Sequence, residues 1–366
     1  MQKVNNQQLL INHQQYILYT FLAIIYAIMH CGLSKFGTFE SYYELSGVVP
    51  FVNRMLVSIL VRPLHLINIP LPLCYFIFEV GFSVLLLIVI EKFFKLYLDE
   101  RISIVFTSLF LLVLTNMYLN YHPSVESWFY SYDTPSMFFV VLGLYLIFNQ
   151  KFKLLLYLIP LATLNRESSI LLILIFMYLY YNRLPFKKFL SLCFGYSFLF
   201  AIVRILVSWI TRDNLRPYGG DFAFLTSEWI DETWRYSYNF RVLINDLGIP
   251  ILIVYLSFLP IFLYVLRKYI PSNFKMIFSS ILFYISLLFF VGNFNELRIF
   301  EEVIVIIYIF VCIGLCNYIG IKVKDDKLPK IIASNTIMYK IFDFLTLKPF
   351  LFCGCVILAT IFLLNY

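Results

Sequence analysis

Charged residues are scarce in this chain: Asp, Glu, Lys and Arg make up 13% of its 366 residues, whereas hydrophobic residues make up 61%. The mean hydropathy is correspondingly high, at +0.85. A soluble domain cannot cover its surface with so little charge, so the composition predicts a polytopic membrane protein. The net charge of +7 then reflects lysines on one side of a membrane rather than a nucleic-acid partner.

Several sequence signals are also missing. There is no Walker A loop, no glycine-rich dinucleotide turn and no HExxH motif, and the absence of these signals argues against an ATPase. The seven cysteines lie in or beside apolar stretches, without the His/Cys spacing of a metal site. We therefore predict no cofactor and no protein-built metal site, with a divalent metal left open. No cleavage site follows the first apolar run, so we expect the first helix to be retained.

The apolar runs predict an all-α polytopic protein of about 11 transmembrane helices with additional interfacial amphipathic helices. All 366 residues would form one multi-span domain, made of a cytoplasmic tail (1–15), a first outer loop with an interfacial helix (34–65), a large outer loop (211–241) and a basic cytoplasmic segment (321–348). The expected spans are 16–33, 66–90, 102–119, 136–149, two within 154–181, 189–210, 243–266, 276–291, 299–320 and 349–366.

Lysine and arginine set the expected orientation. Inner segments would carry 18 Lys/Arg, of which 15 are lysine, whereas outer segments would carry nine, of which eight are arginine. This bias places the N-terminus in the cytoplasm and the C-terminus outside. The abundance of Phe, Ile, Leu, Tyr, Lys and Asn fits a low-GC bacterial genome, so we expect the bacterial inner membrane. Arginine presents a planar fork suited to phosphate or carboxylate. The outer face is therefore where we expect the chemistry.

The strongest local signal is Asn165-Arg166-Glu167, which joins two apolar helices. A self-neutralising pair that closes a helical hairpin is the structural alternative, but a turn needs no buried cation, so we interpret the triplet as functional. Arg204, inside the next span, would either reach the headgroups or pair with a buried acid such as Glu79.

Other outer-face residues add candidates. Glu40 and Glu44 are four apart in the first outer loop and share a face if the loop is helical; either could be a general base or a solvated loop acid. Arg54 could hold a lipid phosphate or reach the headgroups. Asp133 follows an aromatic stretch and is either a helix cap or a sugar ligand.

The late outer turn repeats the Arg–acid theme. Glu296 and Arg298 lie two residues apart there and would contact different partners, while Glu301 and Glu302 would favour the N-terminus of the next span. We expect Arg54, Asp133, Arg166, Glu167, Glu296 and Arg298 to converge on one outer-leaflet cavity.

These motifs resemble those of bacterial polytopic proteins of surface-polysaccharide and lipid glycosylation, and the layout is similar to the C-type glycosyltransferase fold. The resemblance rests on Asn53-Arg54-Met55-Leu56, Tyr132-Asp133, Asn165-Arg166-Glu167 and Glu296-Leu297-Arg298-Ile299-Phe300. It implies a sugar transfer from a polyprenyl-phosphate carrier to a lipid-linked or cell-surface glycan acceptor on the extracytoplasmic face. It also implies that Glu40 or Glu44 is the catalytic base.

The resulting hypothesis is a membrane glycosyltransferase. Arg54, Arg166 and Arg298 would bind phosphate, with Asn165 and Glu296 beside them, and an acid among Glu40, Glu44, Asp133 and Glu167 would activate the acceptor hydroxyl. Two alternatives remain open: a polysaccharide polymerase, and a polysaccharide or lipid transporter. A transporter should carry polar residues through the membrane centre, where this sequence has little beyond Glu79 and Arg204.

Overall fold

The structure is a computed structural model of the chain. It describes residues 2–33, 35–36, 39–45, 53–119, 128–212, 239, 253–254, 256–291, 297–324 and 328. The predicted outer loop 211–241 and basic segment 321–348 lie largely outside these residues. The predicted span 349–366 lies wholly outside them.

Most of the described residues are helical, as the apolar runs predict. α4 and α9 each begin directly after a proline, Pro70 and Pro185, whose φ of −54° and extended ψ suit the residue before a helix start. The helices are α1 (Gln2–Leu33), α2 (Phe39–Glu44), α3 (Leu56–Leu66), α4 (Leu71–Phe94), α5 (Glu100–Leu119), α6 (Asp133–Phe148), α7 (Phe152–Asn165), α8 (Ile170–Tyr180), α9 (Phe186–Ile210), α10 (Leu259–Leu266), α11 (Ser272–Val291) and α12 (Glu301–Tyr318). Two short 3₁₀ helices, Glu167–Ser169 and Leu297–Phe300, precede α8 and α12.

Four stretches of the described chain are long and apolar enough to cross a membrane: Gln14–Gly32, Leu71–Phe94, Phe186–Ile210 and Glu301–Tyr318. The predicted total of about 11 spans is not confirmed. Several other apolar helices, such as α6, α7 and α8, are shorter than the roughly 20 residues needed to cross the hydrocarbon core.

The structure adds two local features that hydropathy does not predict. Residues 1–15, expected to be a cytoplasmic tail, are helical from Gln2 onwards and continue into the first span as α1. The described residues also include one short parallel strand pair, in which Lys35 and Phe36 align with Trp128 and Phe129. This pair brings the predicted first outer loop against the chain that leads into α6. Its register depends on tertiary contact, which hydropathy does not reveal.

The helices pack around α4 and α6. α4 contacts α1, α3, α5 and α6, while α6 also contacts α7 and α12. α6 and α8 approach so closely at Gly143 that a Cβ there would overlap the Leu172 side chain. α9 packs on α7, α11 on α8 and α10 on α12. This arrangement brings the start of α6 and the start of α12 together with the turn between α7 and α8.

Candidate functional site: two opposed charge clusters

The turn between α7 and α8 is held by its neighbours. α7 ends at Asn165 because Arg166 adopts an extended backbone, with φ −161° and ψ 143°. The Asn165 amide donates a hydrogen bond to the Tyr132 carbonyl at 2.9 Å. The Leu164 carbonyl, left without a helical partner at the end of α7, accepts a hydrogen bond from the Met55 N–H at 3.0 Å. The turn is therefore tied to the chain before α6 and to the chain before α3.

Arg166 projects from this turn into a buried group of acids. Its Nη1 contacts Asp133 Oδ1 at 3.4 Å and Glu302 Oε1 at 3.2 Å, and it also donates to Glu301. The three carboxylate side chains are fully buried and Arg166 is 6% exposed. We call these four residues the Arg166 cluster. With all four ionised, its formal charge is −2.

Helix geometry explains how this acid-rich cluster is tolerated. Asp133 lies in the first turn of α6, while Glu301 and Glu302 lie in the first turn of α12. Each helix N-terminus carries a partial positive charge of roughly half an elementary charge, so it stabilises a nearby carboxylate. Ser136 adds a 2.5 Å hydrogen bond to Glu302 Oε1, and Ser136 in turn contacts the Ser168 hydroxyl at 3.2 Å.

Glu167, the next residue, has the opposite surroundings. Its carboxylate accepts a hydrogen bond from Arg54 Nη2 at 2.9 Å, and Arg204 Nη1 lies 3.7 Å away. We call Arg54, Glu167 and Arg204 the Glu167 cluster; its formal charge is +1. Two of its members are more open than the Arg166 cluster, because the side chain of Glu167 is 37% exposed and that of Arg204 is 24% exposed; Arg54 is buried, at 9% exposed.

The two arginines control the ionisation of Glu167. Burial by itself would raise the pKa of this carboxyl group, but Arg54 and Arg204 outweigh burial and hold the pKa well below its ordinary value. Glu167 is therefore ionised at neutral pH, and a carboxylate held so firmly as an anion is a weak proton acceptor.

Tyr132 joins the two clusters. The guanidinium carbon of Arg54 lies 4.4 Å from the centre of the Tyr132 ring, and that of Arg166 lies 5.8 Å from it. Both distances are within the range of a cation–π contact. Since one ring touches both guanidinium groups, the clusters adjoin and share the chain around Tyr132.

A buried His–Glu pair lies beside the start of α6. Glu79 Oε1 is 2.9 Å from His30 Nδ1 and accepts a 2.6 Å hydrogen bond from the Thr134 hydroxyl. His30 and Glu79 are almost completely buried. Arg204, for which Glu79 was one expected partner, contacts Glu167 instead. The first turn of α6 thus contacts both this pair and the Arg166 cluster.

Four of the predicted site residues meet in these clusters: Arg54, Asp133, Arg166 and Glu167. Asn165 adjoins them through its bond to Tyr132. Glu296 lies outside the described residues. Arg298 belongs to the 3₁₀ helix Leu297–Phe300 directly before Glu301, but its side chain is outside the described part.

Glu40 and Glu44 lie on α2 and are exposed. α2 packs against its neighbours through the ring of Phe39, which stacks on Tyr75 of α4, and through Tyr43, whose ring contacts His65 of α3. The side chains that hold α2 in place are therefore aromatic, and both carboxylates are left on its exposed side.

Sequence reasoning missed part of the site. It treated Glu301 and Glu302 only as a favourable helix start and did not single out His30 or Ser136. One general rule could have identified these residues in the sequence: ionisable residues in or beside membrane helices need partners. That rule applies to Glu79, to the adjacent acids of α12 and to His30 at the end of α1, but it does not name the partners.

Among the described residues, no group of three or more His, Cys, Asp or Glu side chains has an arrangement that could hold a metal ion. Comparisons of the chain with models of protein families, with curated proteins and with solved structures found no match. Its function must therefore be inferred from its own residues.

Proposed function

We propose that the protein is a membrane glycosyltransferase that moves a sugar from a polyprenyl-phosphate carrier to a lipid-linked or cell-surface glycan acceptor on the extracytoplasmic face. The observation that carries this proposal is the Glu167 cluster. Two arginines converge there on a single, partly exposed carboxylate, which leaves a net positive charge where several helices begin or end.

Phosphate recognition would fall first to Arg204, whose side chain is partly exposed, with the buried Arg54 adding positive charge behind Glu167. Arginine binds phosphate through paired N–H donors, and both guanidinium groups lie beside the Glu167 carboxylate. A donor phosphate would approach from the exposed side of Glu167 and replace this carboxylate as the partner of the arginines. The same arginines would then stabilise the charge that develops on the phosphate as the sugar departs.

Arg166 would have a different role from the one that its sequence motif suggests. It is surrounded by three carboxylates and is almost fully buried, so an added phosphate would meet repulsion there. In our proposal Arg166 organises Asp133, Glu301 and Glu302, and this group accepts the proton of the acceptor hydroxyl. Uptake of a proton relieves repulsion among carboxylates that share one arginine. Of the three acids, Asp133 directly follows Tyr132, whose ring contacts both Arg54 and Arg166.

Analysis of lipid-linked and surface glycans tests the proposal. A deletion strain complemented with Arg54→Ala/Arg204→Ala should accumulate glycan units that lack one sugar, as the uncomplemented strain does. Arg62→Ala is a matched control, because Arg62 is an exposed arginine of α3 that binds the Tyr43 carbonyl rather than either cluster. The control should restore the complete glycan.

Two results would contradict the proposal. If the double variant inserts at normal levels and makes the complete glycan, the arginines have no role in transfer. If the deletion strain instead makes complete single repeat units that are never joined into long chains, the protein is a polymerase.

A further inference from the structure

A groove of about 880 Å³ lies between α10, α11 and α12, at the side of the described helices. Its floor is one face of α12, where Val303, Ile307 and Phe310 recur at helical spacing. Its walls include Leu263 of α10 and Leu282 of α11, both only partly buried. The lining is therefore apolar over most of its length and is open between the two walls.

One end of the groove is strongly basic. Arg267 and Lys268 follow α10, and Lys275 lies in the first turns of α11; all three are exposed and line the groove. None of the described lining residues is an acid. This end therefore suits an anionic group, while the rest of the groove suits a hydrocarbon chain.

The groove follows most of α12. At its basic end the Ile270 side chain lies against Gly314 of α12, and Asn317 donates a 2.8 Å hydrogen bond to the Tyr269 carbonyl. At the other end the groove is lined by Phe300, directly before α12. From Gly314 to Phe300 is roughly 21 Å at the usual helical rise, so a chain anchored at the basic end would lie along much of the roughly 30 Å hydrocarbon core.

We propose that this groove is a binding site for an anionic phospholipid. Its phosphate would contact Arg267, Lys268 and Lys275, and one acyl chain would lie along α12 between α10 and α11. Basic pockets between membrane helices are known to hold anionic headgroups. The lysine-rich segments predict that this end faces the cytoplasm, so the lipid would come from the inner leaflet.

The far end of the groove adjoins the candidate site. Phe300 lines the far end of the groove and directly precedes Glu301 and Glu302, which belong to the Arg166 cluster. A bound acyl chain would pack against the residue from which α12 begins. Lipid binding should therefore stabilise the folded protein whether or not the glycosyltransferase assignment is correct.

The test uses the full chain purified in detergent, with phosphatidylglycerol or phosphatidylcholine added and bound lipid read by native mass spectrometry. We expect retention of phosphatidylglycerol over phosphatidylcholine, with a higher unfolding temperature. A variant with Arg267→Gln, Lys268→Gln and Lys275→Gln should lose at least about tenfold in apparent affinity for phosphatidylglycerol. The matched control replaces Lys153, Lys187 and Lys188 with Gln; these lysines are exposed and lie outside the groove.

A second variant separates binding in the groove from attraction at the surface. Leu282→Trp would fill the space between the walls and leave all three cations, so it should also lose phosphatidylglycerol. The proposal fails if phosphatidylglycerol and phosphatidylcholine bind equally, or if the two triple variants have the same affinity for phosphatidylglycerol. It also fails if Leu282→Trp binds phosphatidylglycerol as tightly as the wild type does. It also fails if a cysteine placed at Leu282 cross-links to residues 349–366 in membranes, because the chain itself would then occupy the groove.

Discussion

The two charge clusters are opposite in composition and in exposure. The Arg166 cluster places one arginine among three carboxylates, all of them buried, whereas the Glu167 cluster places one carboxylate between two arginines and is partly open. They are built on consecutive residues, Arg166 and Glu167. Because the backbone is extended at Arg166 and a 3₁₀ helix begins at Glu167, the two side chains enter different surroundings.

The two clusters show that the number of charged residues alone does not identify a ligand site. A buried arginine that is already surrounded by carboxylates stabilises the fold, because removing it would leave several uncompensated charges. An arginine that shares a partly exposed carboxylate can exchange that partner for an anionic ligand.

Loss of Arg166 should have the largest effect on folding. Arg166→Met leaves Asp133, Glu301 and Glu302 buried without their cation, and breaking a buried ion pair costs about 3–5 kcal/mol. We expect little folded protein after detergent extraction, measured by size-exclusion chromatography of a fluorescent fusion. Arg101→Met, at an exposed position of α5, is the control and should extract normally. A normally folded Arg166→Met protein would show that the acids do not need this arginine.

Loss of Arg204 should lower activity much more than stability. The Arg204 contact with Glu167 is partly exposed, and such pairs contribute only about 0–1 kcal/mol to stability. If Arg204 contacts the donor phosphate, Arg204→Gln should slow sugar transfer about a hundredfold, the usual loss when one donor to a developing negative charge is removed. The unfolding temperature and the rate of transfer from a lipid-linked sugar should be measured on the same preparation. If the unfolding temperature falls strongly together with the rate of transfer, Arg204 stabilises the fold and is not specific to catalysis.

Neutralising one acid should lower stability in the Glu167 cluster but not in the Arg166 cluster. Glu302→Gln removes one of three mutually repelling carboxylates and keeps an oxygen that can accept the Ser136 hydrogen bond, so it should leave stability unchanged or raise it by about 1 kcal/mol. Glu167→Gln leaves Arg54 and Arg204 without their shared anion and should lower stability by about 1 kcal/mol. Thermal unfolding of both variants checks this, with Glu40→Gln, at an exposed position of α2, as the control. If Glu302→Gln and Glu167→Gln destabilise the protein equally, the excess of carboxylates in the Arg166 cluster does not lower its stability.

The smallest expected effect is in the pH dependence of the Glu167 contribution. The pKa of Glu167 is lowered in the folded protein relative to its ordinary value of 4.5, so its ionised form stabilises the fold above about pH 4.5. That contribution is lost as the pH falls through the lower, folded pKa. The stability difference between the wild type and Glu167→Gln should therefore stay constant from pH 8 to 5 and shrink only in more acidic solution. A difference that disappears above pH 5 would mean that the two arginines do not hold the carboxylate.

Local sequence patterns predicted a substantial part of the site. The Asn165-Arg166-Glu167 turn, the short helix before it and the start of α6 at Asp133 follow from apolar runs interrupted by polar residues. The pairing of Arg54 with Glu167 could not be predicted in the same way. These residues are 113 positions apart, and many outer-face acids were equally available as partners.

The sequence alone predicts a helical membrane protein, because hydropathy and charge are properties of each residue and do not depend on its spatial neighbours. It also placed arginine and acid at the same helix junctions. The partners of these residues depend on the tertiary structure. Arg166 contacts Glu301 and Glu302 because the turn after α7 packs against the start of α12. Glu167 contacts Arg54 and Arg204 because the same turn also lies beside the chain before α3 and beside α9. Packing also buried the Arg166 cluster and left Glu167 and Arg204 partly exposed, and this difference in exposure distinguishes Arg166 from Arg204.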